Sequence, residues 1–307
     1  MANGERITRI FMKITAIVSD YDGTLCPTDS TNGSKGRIPE DLETVLWSIS
    51  KVVPVCILSS KDFKFLDGKV GFSSVVTCLN GAEYFVCKNT NGQSNTTKYS
   101  VDTYGLKKVI GTCGTYYAGS LTNGNLEEKS LVLRKISKAI VDRFQDVTIK
   151  EKYRYTDNLL VGITIDYRHL KKWDQYKTNI EPYIIKLIRS TEREITSQSN
   201  RNFYIQQFLD HPFIDVYTFE AEKGSGLKKI KRLLKLGSND RLLYLGDSES
   251  DNPAFLASDI SIGIRSDRRL NVKLDSNYVL EFNELRPFLK NLQEHDFVFS
   301  KMGNNII

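Results

Sequence analysis

Residues 14–25 read Ile-Thr-Ala-Ile-Val-Ser-Asp-Tyr-Asp-Gly-Thr-Leu. A β-branched, apolar run over 14–19 stops abruptly at two aspartates, Asp20 and Asp22, with Gly23 and Thr24 behind them. A run that is apolar on consecutive positions suits a strand buried on both faces of a parallel sheet. The acidic, glycine-bearing stretch then turns the chain at the strand's carboxyl end.

The same grammar repeats outward from this point. Residues 39–50 place Leu42, Val45, Leu46 and Ile49 on one helical face. Residues 52–58 form a second buried strand, ending in Ser59-Ser60-Lys61-Asp62, and 75–79 form a third, ending in Asn80-Gly81. Strand, helix, strand, with polar residues at each carboxyl end, predicts a doubly wound (Rossmann-like) α/β parallel sheet. Active sites of such sheets lie outside those ends. The pattern resumes at 222. Lys223-Gly224-Ser225-Gly226 opens a helix with Leu227, Ile230, Leu233 and Leu234 inward. A strand at 241–245 runs into Gly246-Asp247-Ser248-Glu249-Ser250-Asp251, followed by a strand at 260–264 and a helix at 284–294.

Between these halves the style changes. Strands at 83–87 and 97–101 predict a hairpin, and 111–125, rich in Gly, Thr, Ser, Tyr and Asn, reads as a long loop. That loop, with Tyr116 and Tyr117, is either a lip over the site or a solvent-exposed connection. A helix at 126–144 counts Leu131, Ile136 and Ile140 among its apolar positions. Strands at 147–155 and 159–167, a helix at 170–190, and strands at 194–198, 203–208 and 213–217 complete the block. The expected organisation is a core of 12–81 and 222–307, an inserted α+β cap at 82–221, and an N-terminal extension at 1–11.

Composition bounds the function class. The 307 residues are 40% hydrophobic and 26% charged, ordinary for a soluble globular chain of about two domains. No apolar stretch reaches the roughly 20 residues that span a bilayer, so no membrane role is expected. The net charge of +6 comes from 43 basic against 37 acidic residues. The basic residues of the helix opened by Lys223 read as a solvated face, so no nucleic-acid partner is expected. The 5 cysteines are odd in number and contain no C-x-x-C pair, which speaks against a zinc site or a disulfide framework. The N-terminus lacks a signal-peptide pattern, and the expected location is cytoplasmic.

The polar clusters carry the chemistry. Asp20 and Asp22 can divide labour, one attacking an electrophile and the other handling a proton. Asp247 adds a third carboxylate, and such a concentration of negative charge calls for a cation. Mg²⁺ suits oxygen ligands shared with a substrate phosphate. Lys223 supplies a fixed positive charge and Ser59 a hydroxyl donor, with Ser60 as its rival. Together they describe a site for a dianionic phosphoryl group.

Asp20-Tyr21-Asp22-Gly23-Thr24-Leu25 after an apolar strand resembles the first signature of the haloacid dehalogenase superfamily of phosphohydrolases. Ser59 is similar to its second signature, Lys223-Gly224 to its third, and Gly246-Asp247-Ser248 with Asp251 to its fourth, in the same order. The insert between the second and third signatures resembles the branch with a large α+β cap. That branch includes sugar phosphatases of the Cof type, trehalose-phosphate, sucrose-phosphate and mannosyl-3-phosphoglycerate phosphatases, and eukaryote-type phosphomannomutase. The first signature looks like the trehalose-phosphate branch, whereas Ser59-Ser60-Lys61 looks like the mannosyl-phosphoglycerate branch.

The resemblance implies roles. Asp20 is the nucleophile that forms an aspartyl-phosphate, and Asp22 is general acid and then base. Mg²⁺ is held by Asp20, by the backbone carbonyl of Asp22, and by Asp247. Ser59 and Lys223 hold phosphoryl oxygens, while Asp251 and Ser248 support the metal site from behind. Ser250 departs from the family pattern, where Asn usually precedes the last Asp. The implied activity is Mg²⁺-dependent hydrolysis of a phosphomonoester, with a small phosphorylated metabolite of the sugar-phosphate kind as partner. A phosphomutase of the phosphomannomutase type and a non-catalytic binding protein on the same fold are the alternatives. Substrate recognition falls to the cap and its border, with Asn80, Arg201 and Asn202 as candidates and Tyr153, Arg154 and Tyr204 near predicted strand ends.

Overall fold

The computed structural model describes residues 10–27, 36–88, 103, 105–120, 126–195, 203–208, 212–265, 272–302 and 305–306. Along the chain run β1 (Ile10–Ser19), α1 (Glu40–Ser50), β2 (Val55–Leu58), α2 (Phe63–Leu66), β3 (Val75–Cys78), β4 (Glu83–Lys88), β5 (Lys107–Gly111) and β6 (Gly114–Ser120). Then come α3 (Leu126–Arg143), β7 (Thr148–Tyr153), β8 (Leu160–Asp166), α4 (Trp173–Ile195), β9 (Tyr204–Gln207), β10 (Phe213–Tyr217) and α5 (Lys223–Leu233). The chain ends with β11 (Arg241–Gly246), α6 (Asn252–Ala257), β12 (Ile260–Arg265), β13 (Tyr278–Glu281), α7 (Phe282–Glu294), β14 (Val298–Met302) and β15 (Asn305–Ile306).

The large sheet has the order β13-β12-β11-β1-β2-β3-β4-β6-β5. Its first six strands are parallel, five of them at the predicted apolar runs and the sixth, β13, outside them. β1 is buried on both faces. Ala16 and Val18 pack with Leu227 and Ile230 of α5, whereas Ile14 and Ile17 join Leu46, Ile49 and Leu289 of α1 and α7. An irregularity between Ile14 and Ala16 lets residues three apart share a face. β1 is flanked by β11 on one side and β2 on the other, so the chain reverses its strand order here and a crevice opens at the carboxyl ends.

Several expectations need correction. The stretch 111–125 is not one long loop: its first part closes the β5–β6 hairpin, with Gly111 paired to Gly114. Asp67 caps that turn by accepting from Thr112 N at 2.8 Å. Tyr116 is no lip; it is fully buried, edge-on to Phe63 at 5.0 Å. Strands β4, β5 and β6 join the large sheet, so the second sheet begins only at β7. Ile10 and Phe11, expected in the extension, pair with Lys301 and Ser300 of β14. Leu131 is exposed, and Val132 and Leu133 take the inward positions of α3. Glu194 and Ile195 end α4 rather than starting a strand. The predicted strand at 97–101 lies outside the described residues.

The second sheet is antiparallel, in the order β7-β8-β10-β9. Helices α3 and α4 cover one face, where Ile136, Ile140, Ile184 and Ile188 meet Ile163, Ile165, Ile214 and Val216. The two-residue period of β10 sends Asp215 and Tyr217 to the opposite face. A buried carboxylate ties this sheet to the large one. Glu83 accepts from Tyr155 N at 2.7 Å and from Thr156 N at 2.9 Å. Burial raises the Glu83 carboxyl, and those hydrogen bonds hold the rise in check. Among the described residues, no helix is long and apolar enough to cross a membrane.

Candidate active site

The site is assembled by register. Ser19 at the end of β1 pairs with Leu245 of β11 and with Ile57 of β2. Asp20, Asp247 and Ser59 follow these strands within two residues of the paired positions, which brings distant parts of the chain to one edge. Lys223, the first residue of α5, enters from the face covered by that helix. Its Nζ lies 3.1 Å from Asp20 Oδ1 and 2.7 Å from Asp251 Oδ1.

The aspartates occupy different environments. Burial pushes the Asp20 carboxyl up to about 7 against the pull of Lys223, and Asp251 and Asp22 add to the rise. Asp22 is half-buried, and its Oδ2 lies 3.4 Å from Lys61 Nζ. Asp251 is fully buried and saturated. Its Oδ1 accepts from Lys223 Nζ and from Tyr244 OH at 2.6 Å. Its Oδ2 accepts from Asp247 N at 3.2 Å, Ser248 N at 3.1 Å and Ser248 Oγ at 2.9 Å. A carboxylate has about four lone-pair sites, so Asp251 holds the Gly246–Asp251 turn and Lys223 in place rather than offering a further ligand oxygen.

Oxygens of Asp20, Asp247 and Asp251 lie within 4.8 Å of one another. Of these three, Asp251 is committed elsewhere, and Asp20 and Asp247 border the cavity. This donor set fits a hard divalent cation that prefers oxygen ligands. The approach is close: Thr24 Oγ1 is 3.4 Å from Asp247 Oδ1. Gly23 has φ +80°, and a β-carbon there would fall 2.0 Å from Asp247 Oδ2. The glycine of the first motif is therefore needed for both backbone conformation and space.

A cavity of about 400 Å³ spreads from these residues to the second sheet. Asp20, Asp22, Lys223, Asp247 and Ser248 line one part, and Gln206 and Asp215 line another. Ser59 is buried, and its Oγ accepts from Lys61 N at 3.2 Å. Ser60 and Lys61 border the cavity instead. Asn80 borders it too, held in the left-handed region at φ 55°, with its amide N–H donated to Ser59 O at 2.9 Å. Arg154 is occupied by Asp157 and by Ser120 Oγ at 2.7 Å. Tyr153 donates to Glu151 at 2.5 Å, and Tyr204 donates to Glu222 at 3.3 Å. Arg201 and Asn202 lie outside the described residues. Lys61 stands in the Ser59-Ser60-Lys61 stretch, which assigns it no role, and Gln206 and Asp215 have no motif to announce them. Asp215 carries one signal, a lone carboxylate at an inward-alternating position of an otherwise apolar strand.

The family model for haloacid dehalogenase-like hydrolase matches residues 17–286. No curated protein matches the sequence significantly. Among solved structures, the C-terminal domain of C. albicans trehalose-6-phosphate phosphatase is similar with a TM-score of 0.60 at 14% identity, covering 92% of this chain and 93% of that one. A trehalose-6-phosphate phosphatase related protein gives 0.54 at 17% identity, over 92% and 98% of the two chains. A sugar phosphatase of subclass IIB gives 0.50 at 14% identity, over 92% and 99%. At these identities the likeness is one of fold.

Proposed function

The chain belongs to the haloacid dehalogenase-like hydrolases, and on that premise we propose that it is a Mg²⁺-dependent phosphomonoester hydrolase acting on a small phosphorylated metabolite of the sugar-phosphate kind. The observation that carries this reading is the meeting of Asp20, Asp22, Lys223 and Asp247 in one cavity at the switch point of the sheet.

Each residue has a task its environment suits. Lys223 offsets charge on Asp20 and on the incoming phosphoryl oxygens. Asp20 attacks phosphorus and forms an aspartyl-phosphate. Asp22 is less buried, and it gives a proton to the leaving alcohol and then takes one from the water that cleaves the acyl-phosphate. One hard displacement becomes two easier ones. Mg²⁺, held by Asp20, Asp247 and the Asp22 carbonyl, would supply further charge neutralisation. Asp251 and Ser248 keep Asp247 and Lys223 in register. Ser59 or Ser60 contributes a hydrogen bond to the phosphoryl group. The parallel part of the large sheet acts as the catalytic core, and the part of the insert that carries β7 to β10 selects the alcohol.

The test is phosphate release from p-nitrophenyl phosphate and a panel of sugar phosphates, with Mg²⁺ or with EDTA. Metal-dependent net release without a bisphosphate activator is expected. Isomerisation of the sugar phosphate without net release would favour the mutase alternative. No turnover with any ester would favour the binding protein.

A further inference from the structure

The second sheet contributes hydrogen-bond acceptors to the cavity. Gln206 on β9 stands opposite Asp215 on β10, and Asp215 opposite Thr164 on β8. These three side chains share one face of the sheet. Asn80, from the turn after β3, is joined to the row through Tyr217, whose hydroxyl accepts from Asn80 Nδ2 at 3.4 Å.

The protons of this network are accounted for. The Tyr217 hydroxyl donates to Asp215 Oδ2 at 3.3 Å, a charged and therefore stronger acceptor. It also accepts from Lys152 Nζ at 2.6 Å, and Lys152 lies 2.9 Å from Asp215 Oδ2. Thr164 Oγ1 donates to Asp215 Oδ1. Two acceptors remain: Asn80 Oδ1 and Gln206 Oε1 are buried and have no partner among the described residues. Asn80 as a whole is only 3% exposed. Both residues border the cavity. A buried acceptor without a donor is costly, and two in one cavity call for donors that arrive with a ligand.

Ligand chemistry follows from the donor inventory. Ionised phosphates and carboxylates bring only acceptors, whereas hydroxyl groups bring donors. Of the cations that border the cavity, Lys61 lies 3.4 Å from Asp22, Arg168 pairs with Asp166, and Lys223 with Asp20 and Asp251. We propose that Asn80, Gln206 and Asp215 form a polyol subsite that takes the hydroxyl groups of an uncharged, polyhydroxylated leaving group. This rests on the phosphomonoesterase reading and adds the chemical class of the alcohol. It disfavours substrates whose leaving group carries a second anion.

The experiment measures kcat/KM of the full-length protein with Mg²⁺ on p-nitrophenyl phosphate, glucose 6-phosphate, trehalose 6-phosphate and 3-phosphoglycerate. Gln206→Leu removes the acceptor, and Gln206→Glu keeps one. A sugar monophosphate is expected to exceed 3-phosphoglycerate by about tenfold or more. Gln206→Leu should lower the ratio of sugar-phosphate to p-nitrophenyl-phosphate kcat/KM by about tenfold, chiefly through KM, and Gln206→Glu should lower it less. Equal losses on both substrates, an unchanged ratio, or preference for 3-phosphoglycerate would overturn the subsite while leaving the phosphomonoesterase reading intact. A wild-type protein inactive on every ester would overturn that reading and the subsite with it.

Discussion

Lys223 Nζ stands 3.1 Å from Asp20 Oδ1, with both side chains more than nine-tenths buried. The lysine opens α5 and the aspartate ends the first strand, so this contact closes the site from two distant parts of the chain. Burial alone would lower the lysine, but Asp20, Asp251 and Asp247 outweigh it and raise it. Removing the lysine leaves buried carboxylates without their cation. Lys223→Ala is expected to destabilise the protein by about 3–5 kcal/mol, measured by urea unfolding. Its phosphatase activity should fall by about 10²-fold or more.

Asp22 and Lys61 form a more exposed pair at 3.4 Å. Asp22→Ala removes the proposed proton donor, so its effect should depend on the leaving group. A sugar alkoxide leaves poorly and p-nitrophenolate leaves well. Turnover of the sugar phosphate should drop about 10²–10⁴-fold, and phosphorylation of Asp20 by p-nitrophenyl phosphate should drop much less. Burst kinetics with the two esters would check this.

Gly23 leaves no room for a side chain beside Asp247. Gly23→Ala forces both the +80° backbone and the Asp247 carboxylate to move. The expected result is a raised Mg²⁺ requirement together with a loss of activity of about 10²-fold. A metal titration of activity, beside calorimetric Mg²⁺ binding, separates this from unfolding.

Asp166 provides a pH test apart from the catalytic aspartates. Burial would raise its carboxyl, but hydrogen bonds from Lys150 and Arg168 outweigh burial and hold it below the usual range. A depressed carboxyl stabilises the fold above its unfolded pKa of about 3.9, and that stabilisation is lost as pH falls through the folded value. Asp166→Asn should therefore flatten the acid limb of the stability profile below about pH 5. Thermal unfolding across that range would show it.

The core of the site was legible because its residues sit at ends of strands that announce themselves. Apolar runs stop at Asp20, Ser59 and Asp247, and parallel pairing alone brings such ends together. The cap side was not legible in this way. Gln206 and Asp215 meet only through the β9–β10 ladder, and a single residue of register decides whether they face the cavity or α4. Residues 111–120 read as a loop because Gly, Thr and Ser dominate, although Tyr116 and Ala118 alternate inward as a strand requires. The rivalry of Ser59 and Ser60 is one of backbone geometry: the Ser59 hydroxyl accepts from the Lys61 amide and keeps its own proton to donate, whereas Ser60 borders the cavity.

In the proposed mechanism Asp20 carries the phosphoryl group. The most direct measurement is acid quench of the protein mixed with ³²P-labelled substrate and Mg²⁺, followed by peptide mapping. Hydroxylamine-labile label on the peptide containing Asp20, absent from Asp20→Asn and from EDTA controls, is the expected result. Full activity in Asp20→Asn, or label on another residue, would contradict the account.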